Sequence, residues 1–165
     1  PRREADMMAR WRILLLAAAA GALPAAAATC SVAASSLAFG SYQSNQVQSI
    51  DSAGSLTVSC TRDALDAAAV TVSYDVDISR GGSGNFAIRE MQSGANRLQY
   101  GIYRDPLRSL AWGDGSAGST RVSSSLTMSS PLTATAVHTV YGRLFGRQNV
   151  IPGAYADSIT VTLSY

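Results

Sequence analysis

The chain has 165 residues, and its 13 basic residues, all arginine, outnumber its 11 acidic residues to give a formal net charge of +2. Four arginines and two acids lie within the first 12 residues, so nine arginines balance nine acids in the remainder. A neutral body without a basic stretch lacks the electrostatic footprint of a nucleic-acid-binding protein. The length suits one domain that can bury a real core.

The N-terminal segment has the layout of a secretory signal peptide. Arg10 and Arg12 precede an apolar run over residues 13–23, and an Ala-Ala-Ala triplet at 26–28 supplies a small-x-small cleavage site. The apolar run is shorter than a membrane-spanning helix requires, which disfavours the alternative of an uncleaved anchor. We therefore expect cleavage after Ala28, a secreted domain over residues 29–165, and no stable membrane insertion after cleavage.

The two cysteines, Cys30 and Cys60, both lie in the predicted mature part. Export to an oxidising compartment favours a disulfide between them, and two free buried thiols are the alternative. Two cysteines and one histidine are too few for a structural zinc site.

Period-2 alternation of apolar and polar residues predicts a nearly all-β chain. The predicted strands cover residues 56–60, 70–78, 98–102, 122–128, 136–145 and 157–165. Turn-forming clusters lie at 51–54, 81–85, 113–115 and 151–153, and residues 63–69 read as a loop or a single turn. Short alternating strands with this punctuation indicate an antiparallel sandwich or barrel.

The segment 157–165 is the most regular of these strands. Its residues Ile159, Val161, Leu163 and Tyr165 share one face, and serine or threonine occupies the opposite face. No further strand follows in the sequence, so we expect the sheet edge beside it to need a cover.

Candidates for catalysis are few. His138 is the one histidine, and its position within an alternating strand favours a structural role over that of a base. Ser116 lies in a D-G-S-A-G segment that resembles a nucleophile elbow, but Asp114 replaces the first glycine and no strand-to-helix pattern flanks it, so a glycine-rich loop is favoured over a hydrolase. We expect no enzyme activity and no cofactor.

Asp75 and Asp77 lie on the same face of one predicted strand. Such a pair can bind calcium or act as acid and base. Because apolar residues fill the opposite face, a solvated face that blunts sheet pairing is the favoured interpretation.

Six short segments together resemble the spore coat protein U domain family, whose members include pilins of the archaic chaperone–usher pathway. The segments are LAFGSY at 37–42, LTVSC at 56–60, LQYGIYRD at 98–105, WGDG at 112–115, VYGR at 140–143 and PGAYAD at 152–157. Their order and spacing extend over essentially all of residues 29–165.

The resemblance implies an incomplete immunoglobulin-like antiparallel β-sandwich that lacks its final strand. A periplasmic chaperone would lend a strand during export, and a neighbouring subunit would replace it after passage through an outer-membrane usher, so the protein would pass through the periplasm to the cell surface. The family's chaperone contacts would run along Ile159, Val161, Leu163 and Tyr165. Its disulfide would map onto Cys30 and Cys60 and tie the first strand to the second.

The sequence departs from fibre-forming members in one respect. They carry an alternating apolar donor segment ahead of the first cysteine, whereas the predicted cleavage leaves only Thr29 ahead of Cys30. A subunit that receives a strand but donates none fits a terminal position in a fibre, which in tip-first assembly is the tip.

A self-complete secreted module that binds surfaces or glycans is the alternative function. Its contact candidates are the loops at 81–85 and 112–118, with Tyr103 and Trp112 stacking on a sugar, although packing within the domain is the favoured role for both side chains. A missing strand predicts an isolated chain that aggregates or needs a chaperone, whereas a self-complete module predicts a soluble monomer.

Overall fold

The computed structural model of the chain describes residues 28–62, 68–129 and 132–165. These residues form eight β-strands: β1 Ala28–Ala34, β2 Ile50–Arg62, β3 Val70–Ile78, β4 Arg89–Ser93, β5 Asn96–Tyr103, β6 Val122–Met128, β7 Thr133–Leu144 and β8 Val161–Ser164. A single 3₁₀ turn spans Gly81–Ser83. The predicted signal peptide up to residue 27, and most of the loop predicted at 63–69, lie outside the described residues.

The strands form two antiparallel sheets. One has the order β1-β2-β7-β5-β4, and the other has the order β6-β3-β8. Alternation along each strand turns one face of each sheet toward the other, and buried residues from both sheets form one core. The side chains with at most 1% exposure in this core are Leu56, Val58, Cys60, Val76, Trp112, Met128 and Leu144. The prediction of an all-β antiparallel sandwich is confirmed.

The prediction of a turn at residues 51–54 is wrong, because these residues lie inside β2 and pair with β7. Asp51 is opposite Arg143, whose guanidinium donates to its two carboxylate oxygens at 2.7 and 2.9 Å. This hydrogen bonding holds the pKa of Asp51 below its ordinary value. Gly54 packs so closely on the preceding loop that a Cβ there would lie 3.1 Å from the Ser35 hydroxyl. Long-range pairing therefore outweighs the local turn propensity.

Strand β4 has no counterpart among the predicted strands, because a buried arginine interrupts its pattern. Arg89 is 0% exposed. Its guanidinium donates to the carbonyl oxygens of Ser79 at 3.1 and 2.8 Å, Phe86 at 2.9 Å and Trp112 at 2.8 Å. Burial lowers the pKa of this group. Because Ser79 follows β3 and Arg89 begins β4, these hydrogen bonds join the ends of the two sheets.

The disulfide between Cys30 and Cys60 is confirmed. The two residues are directly opposite each other in β1 and β2, and their Cα atoms are 4.0 Å apart. The bond therefore ties the edge strand β1 to β2, its neighbour in the larger sheet.

Replacing both cysteines with alanine is expected to lower the free energy of unfolding by about 3–4 kcal/mol, because the unfolded chain regains the entropy of a closed loop of roughly 30 residues. Urea unfolding of the exported protein, with all variants in the same assembled state, measures the loss. The double variant Ser31→Ala with Ser59→Ala is the matched control, since these residues form the next cross-strand pair along β1 and β2. A loss below about 1 kcal/mol would contradict this account of the disulfide.

Candidate functional site

A long open groove runs along one side of the sandwich, with a volume of about 1070 Å³. One wall consists of residues 34–44, which follow β1, and the other consists of residues 150–161, which lead into β8. We call it the lateral groove. Its floor is formed by core side chains of both sheets: Leu56, Ile78, Met91, Leu98, Tyr100, Ile102, Val140 and Leu144.

The first wall is held to the floor by aromatic and aliphatic packing. Leu37 and Phe39 lie over Gly142 of β7, where a Cβ would come within 2.9 Å of the Phe39 ring. The Phe39 ring also meets the ring of Tyr100 edge to face, with centroids 5.8 Å apart. A side chain at position 142 would collide with Leu37 and Phe39, so glycine is required there for the first wall to pack against the sheet.

Hydrogen bonds join the far end of the first wall to the segment that follows β7. The Tyr42 hydroxyl accepts from the Gln148 amide at 2.7 Å and lies 3.3 Å from the Gln148 carbonyl oxygen. Ser44 Oγ accepts from the Val150 amide at 3.2 Å. The two walls are thus linked by hydrogen bonds at this end.

The second wall is fixed through Asp157. Its Oδ2 accepts from the Tyr100 hydroxyl at 2.7 Å, and its Oδ1 accepts from the amides of Gly82 and Ser158 at 3.0 and 2.8 Å. Burial, with a further contribution from this hydrogen bond, raises the pKa of Tyr100, so the phenol stays protonated and donates. Gln92 of β4 exchanges two backbone hydrogen bonds with Ala156, at 2.8 and 3.1 Å.

The last strand is shorter than the sequence pattern predicts, because pairing with β3 is confined to Val161–Ser164. The structure places Ile159 and Val161 in the lining of the lateral groove. Leu163 packs against the core without lining the groove, and Tyr165 is 59% exposed beyond the end of β8. The four residues predicted to form one functional face therefore divide into groove, core and surface positions.

The lateral groove combines an apolar floor with an available strand edge. Among the described residues β8 pairs with β3 alone, so its other edge has no strand partner. An extended polypeptide could hydrogen-bond to such an edge and place alternate side chains on the floor. The sequence reasoning missed the first wall as a site element, although LAFGSY was recognised as a motif and its aromatic residues were the available signal.

The catalytic candidates occupy structural positions. His138 Nε2 lies 2.9 Å from the Tyr74 hydroxyl, and burial lowers the pKa of the imidazole. Ser116 Oγ accepts from Arg80 at 3.1 Å in a loop where Asp114 caps the Ser116 amide at 2.8 Å. These contacts account for both polar groups within the fold.

Asp75 and Asp77 remain partly exposed, but the prediction that their face blunts sheet pairing is wrong. The strand that carries them is paired on both sides, with β6 and β8. Arg121 lies across both carboxylates, with nitrogen–oxygen distances of 3.1 Å to Asp75 and 3.3 Å to Asp77. Burial raises the pKa of Asp77.

Of the two aromatic contact candidates, Trp112 is 0% exposed and donates from Nε1 to the Val76 carbonyl oxygen at 3.0 Å. This placement fits packing within the domain and does not offer the indole ring to a sugar. Tyr103 is half-buried on the outer face of the larger sheet, where it is opposite Tyr141 and lies over Gly101.

Within the described residues, no group of three or more histidine, cysteine, aspartate or glutamate side chains could hold a metal ion. The same part of the chain contains no helix long and apolar enough to cross a membrane.

The fold is thus a β-sandwich of two antiparallel sheets with an open lateral groove, and known proteins share it. Residues 16–162 match the model of the Spore Coat Protein U domain, and the chain belongs to this family. Protein U of Myxococcus xanthus is 30% identical over 136 residues, which cover 78% of this chain and 71% of that protein.

The fold is also similar to a chain in the crystal structure of the chaperone–tip adhesion subunit pre-assembly complex from the archaic chaperone–usher Csu pili of Acinetobacter baumannii. The TM-score is 0.52 at 20% sequence identity. The match covers 84% of this chain but 40% of that chain. At this identity the likeness supports the fold.

Replacing Tyr100 with phenylalanine is expected to lower the free energy of unfolding by about 1.5–3 kcal/mol, because the carboxylate of Asp157 loses a buried hydrogen-bond donor. Chemical unfolding of the exported protein, compared in one assembled state, measures this loss. Tyr165→Phe is the control and should change stability by less than about 0.5 kcal/mol, since this ring is exposed. Equal effects of the two substitutions would show that the Tyr100 hydroxyl does not hold the second wall.

Proposed function

We propose that this protein is a non-enzymatic structural subunit of a pilus or coat-like surface structure, and that its lateral groove accepts a β-strand from another polypeptide. The observation that carries the proposal is the unpaired edge of β8 beside an apolar groove of about 1070 Å³. Membership of the Spore Coat Protein U domain family and a fold similar to that of a chain in a chaperone–subunit complex support it.

Strand addition uses the two features that the groove provides. Main-chain groups of the incoming strand pair with the free edge of β8, and its alternate side chains cover the floor between Phe39 and Ile159. Each aliphatic or aromatic side chain that becomes fully buried contributes about 1.5–3 kcal/mol. Both walls are already held by hydrogen bonds through Tyr42 and Asp157, so the incoming strand does not bear the cost of ordering them.

The proposed partners are proteins that would cover the unpaired strand edge. An exposed edge beside apolar surface promotes pairing with unrelated chains. We propose that a periplasmic chaperone covers the edge during export and that a neighbouring subunit replaces it after delivery to an outer-membrane usher. The protein then passes through the periplasm to an extracellular position on the cell surface.

The self-complete binding module is the less favoured function. It would require the two sheets to close on their own, whereas the lateral groove leaves core residues such as Met91 and Val161 in its lining. A soluble monomer that unfolds cooperatively without a partner would favour the self-complete module over the proposed function.

We further propose a terminal position in the assembled structure. Strand β1 begins at Ala28, and Thr29 is paired with Thr61. Cleavage after Ala28, as the sequence predicts, would therefore place the mature N-terminus inside β1 and leave no segment to donate to a neighbour. Such a subunit accepts a strand at one end of a fibre, which is the tip in tip-first assembly.

Placing a charge in the groove is expected to weaken strand capture. Ile159→Lys removes an apolar contact worth about 1.5–3 kcal/mol and should weaken association with the chaperone by roughly tenfold or more. Thr160→Lys is the matched control, because Thr160 is the next residue, is exposed and does not line the groove. Co-purification of each exported variant with a co-expressed periplasmic chaperone of the archaic chaperone–usher class measures the effect.

If both lysine variants associate with the chaperone as well as the parent chain does, the lateral groove is not the strand acceptor. If neither variant nor the parent chain associates with a chaperone, and the parent chain is a stable monomer, the self-complete module is the better account.

N-terminal sequencing of the exported protein tests the terminal position separately. We expect a mature start at Thr29. A start upstream of Ala25 would restore an extension ahead of β1 and would overturn the terminal position, while leaving the strand-acceptor role intact.

A further inference from the structure

The two sheets leave a second cavity, of about 350 Å³, which shares no lining residue with the lateral groove. It lies where β5 ends: Tyr103 is the last residue of β5 and pairs with Tyr141 of β7. Before Tyr141, β7 pairs only with β2 among the described residues, so its other side is open. The cavity occupies this step and is lined by Arg104, Trp112, Val122, Ser123, Val137, His138, Thr139 and Tyr141. We call it the Arg104 pocket.

A hydrogen bond positions the guanidinium of Arg104, but no ion pair with a described residue neutralises its charge. Arg104 Nη1 donates to the Arg121 carbonyl oxygen at 2.6 Å. Within residues 28–62, 68–129 and 132–165, no carboxylate lies within ion-pair distance of Arg104. A guanidinium carries five N–H donors, so most of its donors remain for a ligand.

The neighbouring carboxylates already have partners. Asp75, which is opposite Ser123 of the pocket lining, is paired with Arg121. Asp105, the residue after Arg104, accepts from the backbone amides of Ser109 and Leu110. The guanidinium of Arg104 therefore keeps donors for an anionic ligand.

The remaining lining suits a polyhydroxylated ligand better than a bare anion. Ser123 and Thr139 are exposed and supply hydroxyl groups that both donate and accept hydrogen bonds. Val122 and Val137 provide apolar surface for carbon–hydrogen groups. The volume lies at the lower end of the range for ligand pockets, which suits one or two sugar units.

We propose that the Arg104 pocket binds a carboxylate-bearing sugar residue of the hexuronic acid class, with the guanidinium of Arg104 pairing with the sugar carboxylate. The pocket is separate from the lateral groove, so the protein can engage an acidic polysaccharide while a strand occupies the groove. The proposal does not depend on how the protein is assembled.

Binding of oligogalacturonate to the exported full chain, measured by isothermal titration calorimetry at fixed ionic strength, tests the proposal. We expect saturable binding that is at least about tenfold tighter than binding of a neutral glucose oligosaccharide of the same length. Arg104→Gln should weaken oligogalacturonate binding by about tenfold, and Arg104→Lys should weaken it less, because lysine keeps the charge but not the planar fork. Arg97→Gln is the control, since Arg97 is another exposed arginine, at the opposite end of β5, and does not line the pocket.

A second pair of variants tests the pocket without removing the hydrogen bond of Arg104. Thr139→Glu places a carboxylate at the rim and should weaken binding by about tenfold through like-charge repulsion. Thr135→Glu lies on the same face of β7 outside the pocket and should leave binding within about twofold.

The proposal is overturned if the neutral oligosaccharide binds as tightly as oligogalacturonate, or if Arg104→Gln and Thr139→Glu leave binding unchanged. Competition with inorganic phosphate distinguishes a site for any small anion from a site for an acidic sugar. If phosphate at the same concentration displaces oligogalacturonate fully, the pocket is a simple anion site and the saccharide proposal fails. If phosphate displaces it only weakly, the sugar ring contributes to binding, as proposed.

Discussion

The side chain of Tyr100 joins the two walls of the lateral groove. Its ring packs edge to face on Phe39 of the first wall, and its hydroxyl donates to Asp157 of the second at 2.7 Å. Tyr100 is 3% exposed, so both contacts are made in the floor of the groove, where a hydrogen bond to a carboxylate is worth more than it is in water. The spacing of the walls, and hence the room for an incoming strand, depends on this residue.

The rest of the domain supports this arrangement by holding the two sheets together away from the groove. Arg89 joins the ends of the sheets by donating hydrogen bonds to carbonyl oxygens. Burying a charge in this way is uncommon, because it costs free energy unless the hydrogen bonds of the guanidinium are satisfied. The disulfide between Cys30 and Cys60 secures the edge strand from which the first wall departs. With these anchors the sandwich can remain open on one side and still keep a packed core.

The fold class was predictable because alternation is a local property. The strands at 70–78 and 122–128 were predicted with the bounds that β3 and β6 have, since both are regular and end at clear breaks. The prediction failed at residues 51–54, where polar residues and a glycine resemble a turn but pair with β7. It also failed at β4, where an inward arginine breaks the alternation. In both places the deciding partners are distant in sequence, and local patterning cannot register them.

The sequence by itself determined the sandwich class, the cysteine pair and the resemblance to a family, because each rests on residue type and spacing along the chain. The tertiary structure alone decided which of those residues form the lateral groove. Leu37, Phe39 and Tyr42 become a wall only because Gly142 and Gln148, about a hundred positions away, lie beneath them. Trp112 became core and Arg104 became the cation of a pocket for the same reason: burial and unpaired charge depend on contacts made across the sheets, which no local window of sequence contains.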